Sequence, residues 1–194
     1  MNKNLGKISF LGNCQTLAYS KYIADLLPDQ DVKWLCPDRF AIRGDKWMTM
    51  EAVWGDRVNQ HVICQDEVND NLIKSDILIY TPMNSVLSKG HNTEAINEKH
   101  KENTKIITVS TIHTNVEGMK ERECRKNIDI RFSEIFDKYP NSAGVADDKH
   151  GMHPNTFTIL ESVRMICNFL DIKYFSDEDY KRHLNSGYPF EQNK

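Results

Sequence analysis

Five short apolar runs constrain this chain more than any other feature: 7–11 (KISFL), 32–36 (VKWLC), 61–64 (HVIC), 76–80 (DILIY) and 105–109 (KIITV). Each is apolar almost continuously rather than at alternate positions. That is the signature of a strand buried on both faces, as in a parallel sheet with helices above and below. The segment after the first run repeats apolar residues at helical spacing: Leu17, Tyr19, Ile23, Leu26 and Leu27, ended by Pro28. Strands alternating with helices predict an α/β fold, a three-layer sandwich around a mostly parallel central sheet. At 194 residues, without a repeat or a linker-like stretch, the chain is expected to form a single domain over 1–194. That length buries a core without disulfide staples.

The remaining segments are less regular. Between 39 and 57 the residues Trp47, Met48, Met50, Val53 and Trp54 suit one face of a short helix, and 66–73 reads as a turn or two of helix. The polar stretch 84–104 reads as loop and helix. Beyond Val109 the strand rhythm fades, and helices are expected over 115–126, 130–139 and 177–184. The segment 154–170 is a clear helix. Pro154 takes its first position, and Phe157, Leu160, Val163, Ile166, Cys167 and Leu170 lie along one face.

Charge and cysteine usage exclude some functions. The 25 basic and 28 acidic side chains leave a net charge of -3, and no arm or tail gathers the basic ones, so nucleic acid is a poor partner. A local pocket for a small anion is still compatible with that balance. The five cysteines are Cys14, Cys36, Cys64, Cys124 and Cys167, widely spaced and without a CxxC pair. This suits free thiols in a reducing compartment rather than a zinc ribbon. Cys36, Cys64 and Cys167 fall on apolar patterns and are expected in the core. The N-terminus lacks a signal-like apolar stretch, and no run approaches the ~20 residues of a membrane span. A cytoplasmic location is the expectation; self-association as a homo-oligomer stays open.

In open α/β sheets, sites form at the carboxyl ends of the strands. This rule gathers Cys14, Thr81–Asn84 and 110–114 at one edge. Cys14 stands in Gly12-Asn13-Cys14-Gln15, on the corner between the first strand and its helix. A helix N-terminus favours a thiolate, and its N–H groups can hold an oxyanion. Gly12 permits a tight turn, while Asn13 and Gln15 offer amide donors. The bland alternative is a small buried residue at a crowded corner. A cysteine nucleophile needs an imidazole base and an orienting acceptor. The loop "DDKHGMHPN" supplies Asp147, Asp148, His150 and His153. Read without Cys14, it is a polar turn whose Asp residues and Asn155 cap the next helix. A zinc site fits poorly, since neither HExxH nor a cysteine partner is present. Asn84, just past a strand end, is a candidate oxyanion donor, and His113 a candidate polar contact.

Together, "ISFLGNCQTLAYSKYIADLL" and "MHPNTFTILESVRMICNFL" resemble the WcbI-type polysaccharide biosynthesis proteins, acetyltransferases of capsule assembly that bind coenzyme A. That family carries a GNCQ motif after the first strand and a His-Pro opening a late helix, on a fold similar to SGNH/GDSL esterases. The resemblance covers the two ends of the chain; the middle, about 30–145, follows only in strand order. It implies an SGNH-hydrolase-like sandwich with Cys14 in the place of the serine and His153 as the base. Acetyl-CoA would be the co-substrate, and a sugar of a surface polysaccharide the acceptor. The chain departs from the pattern in two ways. His150, not an aspartate, stands three residues before His153, while Asp147 stands three before His150. Either His150 is the base, or His153 is, oriented by Asp148 or a backbone carbonyl; the His-Pro pair favours His153. The middle also lacks a Gly-Asn-Asp block, which weakens Asn84. An esterase or thioesterase on the same residues, or a non-catalytic CoA-binding protein, are the alternatives.

Overall fold

The computed structural model describes residues 4–12, 14–35, 62–63, 74–82, 103–144 and 153–186, with the backbone alone at 14, 35, 62 and 63. The segments 39–57 and 66–73, Cys36 and Cys64 lie outside the described residues. Internal contacts divide the chain into two compact units, 4–107 and 108–192.

The first unit is built on the sheet. Its elements are β1 (Ile8–Leu11), α1 (Cys14–Leu26), β2 (Val32–Leu35), β3 (Val62–Ile63), β4 (Ile77–Tyr80) and β5 (Lys105–Thr108), whose last residue is counted in the second unit. The strand order is β3-β2-β1-β4-β5. β1 runs parallel to both neighbours, with Ile8 opposite Val32 on one side and Ile77 on the other, and β2 runs parallel to β3. The α/β expectation with a parallel sheet therefore holds. All four residues of β1 and all four of β4 are buried, which explains why their apolar runs do not alternate. The polar member of β1, Ser9, is satisfied internally by the Ser75 hydroxyl at 2.7 Å. β5, at the edge, is only partly buried. α1 packs on β1 and β2 as their crossover helix.

The entry to β1 is held by Gly6, whose φ of +72° lies in the left-handed region, so Lys7 N–H can reach the Asp76 carboxylate at 2.7 Å. Asp76 N–H in turn donates to Lys7 O, which starts the β1–β4 ladder. Trp34 of β2 is fully buried and donates its indole N–H to Thr16 Oγ1 at 3.1 Å, fixing α1 against the sheet.

The second unit is helical: α2 (Val116–Arg125), α3 (Ser133–Lys138), α4 (Thr156–Leu170) and α5 (Asp177–Asn185). Asn115, Asn155 and Ser176 cap α2, α4 and α5 through their side chains. Buried Glu123 of α2 accepts from the backbone N–H and the hydroxyl of Ser133, the first residue of α3, so its charge is compensated.

Two expectations are corrected here. The segment 130–139 is helical only over α3. Ile130 instead forms a parallel bridge with Val109, and its N–H donates to Thr108 O. The reason was present in "IDIRF": Ile128, Ile130 and Phe132 are buried while Asp129 and Arg131 are exposed, a period of two. Pro154 is not the first residue of α4. Asn155 is the N-cap, with extended backbone and a side chain accepting from Thr158 N–H, so the helix starts at Thr156 and Pro154 precedes the cap. The expected capping role of Asn155 holds.

Candidate functional site

The strand order makes β1 a point of reversal. The chain leaves β1 through α1 toward β2 and β3, whereas β4 and β5 lie on the other side. In open α/β sheets the crevice beyond the carboxyl ends of such a strand pair is where ligands bind. Here that edge is formed by Leu11 at the end of β1, Gly12 after it, the first turn of α1, and Thr81 after β4; Thr81 N–H donates to Leu11 O at 3.0 Å and ties the two ends together.

Gly12 is required by close approach. A Cβ there would stand 2.8 Å from Thr16 Cγ2, 2.9 Å from Thr16 Oγ1 and 3.3 Å from Thr81 Cβ. The bend is thus packed between two threonines with no room for a side chain. α1 then begins at Cys14, whose backbone is its first residue. The first N–H groups of a helix have no intrahelical acceptor, and the first turn of α1 contains no carboxylate. That terminus therefore offers its positive end to an anion.

The two threonines at the bend differ in one respect. Thr16 Oγ1 is engaged by Trp34. Thr81 is 4% exposed, and its Oγ1 finds no hydrogen-bond partner among the described residues. A buried hydroxyl left unpaired costs about 1–3 kcal/mol, so its retention at a strand end facing the bend is informative. The sequence places Thr81 at this edge, but a hydroxyl's lack of partners is invisible in a sequence.

Of the expected site residues, Gly12 and Gln15 sit at this edge with Cys14. Gln15 is buried at 4% exposure and accepts from the Tyr19 hydroxyl through Oε1 at 3.5 Å. Asn13, Asn84, Asp148 and His150 lie outside the described residues. His153 belongs to the other unit and is half-buried just before α4. The chain around it is anchored: Asn155 donates through its side-chain amide to Ser142 O at 2.9 Å and through its backbone to Gly144 O at 2.9 Å. Thr158 adds a bond from its hydroxyl to Gly144 O at 3.1 Å. His113, beside the Asn115 cap, is half-buried, and burial together with the Arg122 charge holds its imidazole below the usual histidine range.

The second unit also holds a polar cluster that no motif announces. Glu161, 5% exposed on the packed face of α4, accepts from the Tyr180 hydroxyl at 3.3 Å and pairs with Arg164 at 3.4 Å. The Arg164 guanidinium lies 4.7 Å from the Tyr174 ring centre and 5.2 Å from that of Tyr180. Burial and the Glu161 charge push the Tyr180 phenol up to about 12. The cluster fastens α5 to α4. Its only trace in the sequence is the i, i+3 spacing of Glu161 and Arg164.

No protein-family model matches the chain, and no curated protein matches it.

Proposed function

We propose that the chain is a coenzyme A-dependent acyltransferase with an SGNH-like three-layer fold, acetylating a sugar hydroxyl in the making of a surface polysaccharide. The observation that carries the reading is the position of Cys14: first residue of α1, immediately past the carboxyl end of β1, at the reversal point of a parallel sheet. Acetyl-CoA enters as co-substrate. The donor set at the edge suits a thioester, since a helix N-terminus and a buried hydroxyl both answer an oxygen that gains charge. The sugar class rests on the resemblance of the GNCQ and His-Pro segments.

Cys14 gives its proton to a base, the role that the His-Pro resemblance gives to His153, and its sulfur attacks the thioester carbonyl carbon. The carbonyl π pair moves to oxygen, where the N–H groups at the α1 terminus answer the new charge, with the amides of Asn13 and Gln15 assigned as further donors by their place in the GNCQ motif. Collapse breaks the bond to the CoA sulfur, which leaves with the proton from the imidazolium. Acetyl-Cys14 remains. The acceptor hydroxyl then gives its proton to the imidazole, attacks, and releases the Cys14 thiol.

The test is incubation with acetyl-CoA followed by intact mass. An acetyl adduct on the wild type, absent from Cys14→Ala, is the expected result. Unchanged turnover in Cys14→Ala would sink the nucleophile role. His153→Ala should slow acylation on the order of 10²–10⁴-fold, and His150→Ala much less. An adduct that drains to free acetate at the same rate with or without a sugar marks a thioesterase instead. Coenzyme A at a hundredfold excess over its Kd should stabilise the protein by about 2.7 kcal/mol; no thermal shift at any concentration counts against binding.

A further inference from the structure

We propose that the Thr81 hydroxyl is a further side-chain donor to the oxyanion formed at Cys14, an inference that rests on the acyl-transfer reading. Three observations within the unit 4–107 meet at one place. Thr81 follows β4, the strand paired with β1, and its N–H bonds Leu11 O, so it is locked beside the bend that leads into α1. Its Cβ stands 3.3 Å from where a Cβ on Gly12 would be, which puts the side chain against the bend itself. Its Oγ1 is buried and has no hydrogen-bond partner among the described residues, whereas the other threonine at the bend, Thr16, is committed to Trp34.

A hydroxyl without an acceptor can turn its proton toward whatever oxygen gains charge nearby. The charge in this reaction develops when the Cys14 sulfur bonds to the thioester carbon and the π pair moves to the carbonyl oxygen. It is discharged when the pair returns and the CoA thiolate departs with the proton held by the general base. A donor with no competing partner in the resting protein is preorganised for that moment, because no existing bond has to break first. The valine that would fit the same space would remove an unpaired buried polar atom, yet threonine stands there.

Thr81→Val keeps the shape and removes the donor; Thr81→Ser keeps the donor. Each is compared with the wild type for Tm and for the rate of acetyl-Cys14 formation from acetyl-CoA by intact mass. Thr81→Val is expected to unfold at the same or a higher temperature, to acylate on the order of 10²-fold more slowly, and to bind coenzyme A with unchanged Kd. Thr81→Ser is expected to retain most of the rate. A lower Tm for Thr81→Val shows that the hydroxyl is a structural bond and overturns the inference. Equal acylation by Thr81→Val overturns the inference alone and leaves the acyl-transfer reading standing. No adduct on the wild type overturns both.

Discussion

Gly12 shows how little tolerance the corner has. A methyl group there meets Thr16, which is fully buried and holds the Trp34 indole through its hydroxyl. Gly12→Ala must push Thr16 aside and weaken that bond. The expected cost is about 1–3 kcal/mol, read as a drop in the urea midpoint with an unchanged slope. A neutral Gly12→Ala would mean that the bend is looser than its distances. The cysteines separate as sharply. Burial pushes the Cys167 thiol, which is fully covered on the packed face of α4, up to about 12, while Cys124 is exposed. Iodoacetamide at pH 8 should alkylate Cys124 in the native protein and reach Cys167 only after unfolding, as peptide mass mapping would reveal. Native labelling of Cys167 would contradict its burial. The core placement of Cys167 was legible in the sequence because it sits on the apolar stripe of a helix. The uncommitted hydroxyl of Thr81 was not, because hydrogen-bond partners are set by packing between strands.

At the scale of elements, the start of α4 is the most exacting junction. Asn155 does two jobs with one side chain: Oδ1 accepts from Thr158 N–H at 2.8 Å and the amide donates to Ser142 O. Asn155→Ala should lose about 1–2 kcal/mol, while Asn155→Asp keeps the cap oxygen and should lose less; chemical denaturation of the pair distinguishes the two bonds. A similar drop in both variants would locate the stabilisation in the Ser142 contact. Because His153 stands two residues before this cap, Asn155→Ala should also impair any activity that depends on His153. The helix over 154–170 was legible from its apolar stripe, but its first residue was set by a side-chain cap that competes with the preference of proline for the first helical position. The segment 130–139 went the other way. Its apolar residues from Phe132 to Tyr139 fit helical spacing, but Ile130 belongs to the alternating run 128–132, which the partner segment at Val109 holds extended.

The whole molecule carries several groups that the fold holds neutral. Burial raises the phenols of Tyr22, Tyr174 and Tyr180 above their usual range and Cys167 from its ordinary 9.0 to about 12. A raised folded-state pKa means that the unfolded chain loses its proton first. Stability from these groups is complete below about pH 9 and declines as pH climbs toward 12. Urea midpoints at pH 7 and 9 should nearly coincide and the midpoint at pH 11 should fall well below both, and Cys167→Ala should show a shallower fall. His113 acts with the opposite sense. Its depressed pKa leaves stability intact above its ordinary 6.5 and removes some of it as pH drops below that value. No helix among the described residues is long and apolar enough to cross a membrane.

The sequence by itself determined the parallel α/β sheet, the positions of its five strands, and the placement of Cys14 at the corner where β1 gives way to α1. These follow from local patterns, since a strand covered on both faces needs an unbroken apolar run and a crossover helix needs an apolar stripe. Only the tertiary structure decided that β4, not β3, lies beside β1, and so that the corner is a point of reversal closed by Thr81. An apolar run records that a strand is buried, not which strands bury it. Strand order and the pairing of a lone hydroxyl are set by contacts between residues far apart in the chain, so no local pattern could carry them.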